Sequence, residues 1–140
     1  MNDGHLVFAS NGERKRVSVL MSAISSGSVK LMNAFYHAKR TMMEHGFFHT
    51  SIDLKLPPFA RAGTSSPESA VRAVISYIYT GQLNVSSMNI KNIAVLAAYL
   101  EIAPIMDLLP GLAAQLNVDD FDMTVLKASY ALTISPLNHN

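Results

Sequence analysis

The sequence predicts an α+β domain in which a small N-terminal β-sheet packs against a cluster of α-helices. Three observations carry this reading. Strand-like runs, mostly alternating apolar and polar residues, fall at residues 6–20 and 48–54, with one further short strand expected at 83–85. Apolar residues recur at helical spacing through most of the remainder. Glycine, proline and capping residues fall at the borders between these segments.

The elements follow in order. Leu6-Val7-Phe8-Ala9 is a short β-prone run, and Asn11-Gly12 is a two-residue hairpin turn, because both positions tolerate positive φ. The return strand spans Arg14 to Leu20, where Val17 and Val19 alternate with Arg16 and Ser18. From Ser28 the spacing turns helical, and Val29, Leu31, Met32, Phe35 and Tyr36 are expected on one broad face. Gly46 stops this region. Phe48, Thr50, Ile52 and Leu54 alternate with His49, Ser51, Asp53 and Lys55, a third strand that Pro57-Pro58 ends. Residues 57–65 form a long loop.

Ser66-Pro67-Glu68 opens the next helix with a cap residue, a proline at the first helical position and an early acid. Val71, Val74, Ile75 and Ile78 line its inner face, and Gly81 terminates it. Leu83-Asn84-Val85 is a brief extended piece. Ser87 or Asn89 is expected to cap a helix through Glu101, with Ile90, Ile93, Ala94, Ala97 and Leu100 spaced for burial. Pro104 starts a further helix, and Pro110 inside its pattern predicts a break or kink. Asp119 or Asp120 is expected to cap a last helix reaching about Leu132, followed by a loose tail. The domain proper is expected over 1–116, with 117–140 as a helix and tail.

Composition narrows the function. The 140 residues suit one domain, and 49% are hydrophobic, so the chain has ample apolar surface to bury and is not a disordered segment. Charged residues are only 15%, against about 25% in an ordinary soluble domain. With 11 Lys plus Arg against 10 Asp plus Glu, there is none of the basic excess of a dedicated nucleic-acid binder. Lys91, Glu101 and Asp107 interrupt the longest apolar window, so no membrane-spanning helix is expected. The N-terminal residues lack the pattern of a secretory signal. The absence of cysteine excludes disulfides and thiolate metal sites, and fits a reducing intracellular compartment, cytoplasmic or nuclear.

One stretch resembles a known family. Ser66-Pro67-Glu68, Val71, Ile75 and Tyr77-Ile78-Tyr79-Thr80-Gly81 are similar to the helix and turn that mark BTB/POZ domains. The resemblance continues through Leu83, Val85, Ile90, Ile93, Leu96-Ala97, Leu100, Ile102 and Met106-Asp107-Leu108, which look like the paired helices closing that fold. Asp3 to Phe8 looks like the family's first strand, and Val19-Leu20 like the start of its first long helix. The match covers roughly 3–116 and is that of a divergent member, with an extra stretch between Phe35 and Glu44 and a longer loop at 57–65.

The resemblance implies a non-catalytic interaction module. Such domains homodimerise, link substrates to a cullin ubiquitin ligase, or recruit repressors to DNA-binding proteins. Met42-Met43-Glu44 is placed like the hydrophobic-any-Glu motif of the cullin adaptors, in which an apolar anchor fills a pocket and a carboxylate fixes register. The competing reading makes one methionine core and Glu44 solvated. Phe121 and Val125 resemble the start of the helical extension that completes the cullin groove in many adaptors, or else a terminal helix packing on its own domain. Tyr77, Tyr79, Thr80 and Gly81 are expected to be structural, and Asp3, Leu6 and Phe8 are candidates for self-association. Only two residues precede Asp3, and Ser18 stands near the place of the usual dimer-centre lysine, so no helix-swapped dimer is expected. The alternatives are a subunit like elongin C, which binds partner helices as a monomer, and a transcriptional regulator's corepressor-recruiting domain.

Other signals carry less. His45 and His49 are four apart, yet the spacing joins ligands only on a helix, and Gly46 lies between them. Asp119, Asp120 and Asp122 lack the spaced glycine and closing glutamate of a calcium loop, and read as a helix cap. Arg14-Lys15-Arg16 alternates sides of a strand rather than forming one patch. No G-x-S-x-G nucleophile or glycine-rich phosphate loop is present, so neither catalytic residues nor a cofactor or metal is expected. A polar pocket with clustered titratable groups would revive a rival reading as a small enzyme.

Overall fold

A computed structural model describes residues 3–45, 50–56 and 66–122. The strands are β1 (Gly4–Ser10), β2 (Glu13–Val19) and β3 (Thr50–Asp53). The helices are α1 (Met21–Gly27), α2 (Val29–His45), α3 (Pro67–Thr80), α4 (Ile90–Tyr99) and α5 (Ala103–Gln115). The α+β architecture expected from the sequence is the one observed.

The sheet has the order β2-β1-β3 among the described residues. Asn11 and Gly12 carry φ of 52° and 82°, the paired positive values that a tight hairpin needs. They set the antiparallel register Gly4↔Val19 to Ser10↔Glu13. β3 pairs in parallel with β1, from Gly4↔Thr50 to Val7↔Asp53. A parallel pair needs a long crossover, and α1 and α2 supply it. As the central strand, β1 buries Leu6, Val7 and Phe8, whereas β2 alternates buried Val17 and Val19 with exposed Arg16 and Ser18.

α3 has the expected ends. The Ser66 hydroxyl accepts from the Ser69 amide at 3.2 Å, Pro67 begins the helix, and Gly81 closes it in the left-handed region at φ 77°. The buried Ser10 hydroxyl accepts from the Glu68 amide at 3.3 Å, pinning this end of α3 to β1. α4 is the central helix: Ile90, Ile93, Ala94, Leu96 and Ala97 are all fully buried. With Phe8, Met21, Ile24, Leu31, Ile102, Ile105 and Leu109 they form one core shared by sheet and helices. Each such large side chain contributes about 1.5–3 kcal/mol of burial.

Four expectations need correction. Residues 83–85 form no strand, although Leu83 and Val85 pack against the core. Asn89 is the residue before α4, but its side chain accepts from the Ser86 amide at 2.7 Å behind it rather than from the helix. α5 runs through Pro110 without a break; the proline is on the exposed side, and Leu109 and Ala113 hold the inner face to the core. α2 has two apolar sides, not one. Val29 and Leu31 are two residues and so about 200° apart around the helix. Leu31 is buried, with Ala34 and Phe35 packing beside it, and Val29, Met32 and Tyr36 face outward. A last helix to Leu132 lies outside the described residues.

Candidate partner-binding surface

The resembling motif is structural, and its geometry gives the reason. Tyr77 packs half-buried against the core. Tyr79 lies half exposed along α3, and its hydroxyl accepts from the Leu20 amide at 2.9 Å. The Thr80 hydroxyl donates to the Ser76 carbonyl at 2.8 Å and accepts from the Gln82 amide at 3.1 Å. The Gly81 amide donates to the Tyr77 carbonyl at 2.7 Å. Together they end α3 and anchor α1 to it.

Asp3 has a similar task. Its carboxylate accepts from the Met21 amide at 2.8 Å, in the first turn of α1. Leu6 and Phe8, at 1% and 0% exposure, are core residues. Neither offers a self-association surface while the sheet is intact, because both are covered by the chain's own helices.

Met42, Met43 and Glu44 fall in the last turn of α2, ahead of β3, rather than beyond the helix. Phe121 is half-buried and packs on the core, and Val125 lies outside the described residues. His37 is on α2 and His45 is its last residue; His49 is outside the described residues. No group of three or more His, Cys, Asp or Glu able to hold a metal occurs among the described residues. The acidic cluster near residue 120 is a surface feature: the Lys91 ammonium donates to Asp120 and holds its carboxyl below the ordinary carboxylate range.

Two of the three basic residues of the run on β2 are held in ion pairs, and the third, Arg16, is exposed. Arg14 meets Asp53 at 3.3 Å, and Lys15 meets Glu13 at 3.0 Å and Glu68 at 3.9 Å. The hydrogen bond that the Lys15 ammonium donates to Glu13 raises its pKa above the ordinary value. Arg72, one helical turn from Glu68, completes the network at 3.0 Å.

One open feature is apolar, and sequence reasoning missed it. A cleft of about 610 Å³ lies where the end of α1, the start of α2, the end of α3 and the α4–α5 corner meet. Tyr77, Ile78, Ile102 and Pro104 line it. Val29 and Met32 form its lip and lead into Tyr36, so an exposed stripe at i, i+3, i+7 runs along α2, with Val29 and Tyr36 at 55% and 62% exposure. Two contacts fix this stripe. The Ser28 hydroxyl donates to the Leu100 carbonyl at 2.6 Å and accepts from the Leu31 amide at 3.1 Å, tying α2 to the end of α4. The Lys30 ammonium sits 4.1 Å from the centre of the Tyr99 ring. The stripe's spacing was visible in the sequence, but it is equally that of a buried face.

No protein-family model matches the sequence, and no curated protein matches it. Solved structures do. The BTB (Tramtrack and Bric a brac) domain of human gigaxonin is similar over 79% of this chain and 75% of that one, at 21% identity and a TM-score of 0.52. The BTB domain of zebrafish PATZ1 is similar over 81% and 76%, at 12% identity and a TM-score of 0.57. The chain has the BTB fold. Among the described residues no helix is long and apolar enough to cross a membrane.

Proposed function

We propose that this chain is a non-catalytic protein–protein interaction module, an adaptor that links a partner to a cullin ubiquitin ligase inside the cell. The observation that carries the reading is the exposed stripe Val29–Met32–Tyr36 beside an open apolar cleft. A domain with only 15% charged residues leaves apolar side chains on this face, where a partner would cover them. The likeness to BTB domains supports an interaction role in general. The cullin assignment rests on Met42-Met43-Glu44, which ends α2 about two turns beyond Tyr36. There an apolar anchor would seat in the cullin and the carboxylate would set register.

Gel filtration of the purified chain with the amino-terminal domain of a cullin tests this. The wild type is expected to co-elute with the cullin, and Glu44→Lys to elute apart. Separate elution of the wild type would defeat the cullin assignment and leave the fold untouched.

A further inference from the structure

The cleft carries an unusual residue. Three helices end on a left-handed residue: α3 on Gly81 (φ 77°), α5 on Asn117 (φ 57°) and α4 on Glu101 (φ 58°). At both Glu101 and Asn117 the closing bonds are the same pair. The Glu101 amide donates to the Ala98 carbonyl and the Ile102 amide to the Ala97 carbonyl; Asn117 and Val118 repeat this on Ala114 and Ala113. Glycine and asparagine are the residues that tolerate this conformation, so the turn alone gives no reason for glutamate. Strain of this kind points to a task for the side chain. Glu101 lines the cleft, it is exposed, and no hydrogen bond or ion pair engages its carboxylate among the described residues.

The rest of the rim has matching chemistry. Ser25 and Ser26, also lining the cleft, donate their hydroxyl protons to the carbonyls of Ser22 at 3.2 Å and Ala23 at 2.6 Å. With those protons committed, their oxygens are left as acceptors. No Lys, Arg or His lines the cleft. An apolar floor edged by a carboxylate and two acceptor oxygens complements a side chain that only donates, standing next to an apolar one.

Resting on the interaction-module reading, we propose that the cleft binds a short segment of a partner protein presenting an arginine or lysine beside an aliphatic or aromatic residue, with Glu101 pairing the base. Selection of phage-displayed random dodecapeptides on the full chain tests it, followed by fluorescence anisotropy of the recovered peptides. Recovered peptides are expected to be enriched in a basic residue adjoining an apolar one. They should shift the backbone amide resonances of Gly27, Ser28 and Glu101, and bind E101Q about fivefold more weakly. E101G should also bind weakly while melting a few degrees higher, because glycine relieves the left-handed turn. Peptides without basic enrichment, equal binding to E101Q, or no peptide recovered would each overturn the proposal. Those outcomes leave the cullin measurement unaffected, so the two readings fail separately.

Discussion

The phenolic oxygen of Tyr79 accepts the backbone N–H of Leu20 at 2.9 Å, joining the end of α3 to the start of α1 across 59 positions. The next amide, that of Met21, goes to the carboxylate of Asp3. α1 has only 7 residues and no capping side chain of its own. A helix this short does not stand alone in water, so its first turn is held by partners from β1's approach and from α3.

Tyr79→Phe removes one of those partners and keeps the ring. Because Tyr79 is 47% exposed, water replaces part of the lost bond, and the expected destabilisation is about 1 kcal/mol. Urea denaturation should show a lower midpoint with an unchanged slope. An unchanged midpoint would mean that α1 does not depend on the tyrosine.

Ser28→Ala should cost more. The hydroxyl is both the cap of α2 and the donor to the Leu100 carbonyl in a buried setting, so its loss leaves that carbonyl unsatisfied. About 2 kcal/mol is expected by the same titration, and Ser28→Thr should recover part of it if the larger side chain fits.

Gly27 sits against Ile78 so closely that an added Cβ would lie 2.8 Å from Ile78 Cγ1. Gly27→Ala is therefore expected to destabilise by about 1 kcal/mol, overpacking outweighing the gain in helix propensity. Ile78→Val alone also costs about 1 kcal/mol. In the alanine background it should cost less, and a double-mutant cycle showing strict additivity would remove the proposed contact.

Acid sensitivity has a local source in Asp120. The Lys91 hydrogen bond lowers its folded pKa, so the contribution is present above the unfolded carboxylate value and is lost as pH falls through the folded one. Both the pair and its effect are at the surface, so the change in stability is small. Carboxyl NMR titration should place Asp120 below an ordinary aspartate, and Lys91→Met should raise it. A titration midpoint unmoved by that substitution would contradict the pairing.

Local signals in the sequence read correctly because their causes are local. Asn11-Gly12 turns a hairpin and Ser66-Pro67-Glu68 to Gly81 brackets a helix through bonds within a few residues. Pro110 misled because the rule against internal proline assumes a helix with no outside support, and Leu109 and Ala113 provide that support. Val29, Met32 and Tyr36 read as one face with Leu31 and Phe35 because spacing gives a face but not which side of it meets the sheet. Leu6 and Phe8 were assigned to an interface for the converse reason: a central strand is apolar whether its cover is its own helix or another chain. The cleft had no sequence signature, since Ser26, Met32, Ile78 and Glu101 come from four separate segments. Glu101 could be seen ending an apolar helix, but its left-handed backbone could not.

Amide hydrogen exchange of the chain, with and without an excess of a cullin amino-terminal domain, tests the central claim most directly. The account predicts slowed exchange in the last turn of α2 around Met42, Met43 and Glu44, and no slowing in Glu44→Lys. Unaltered exchange throughout the wild-type chain under those conditions would contradict it.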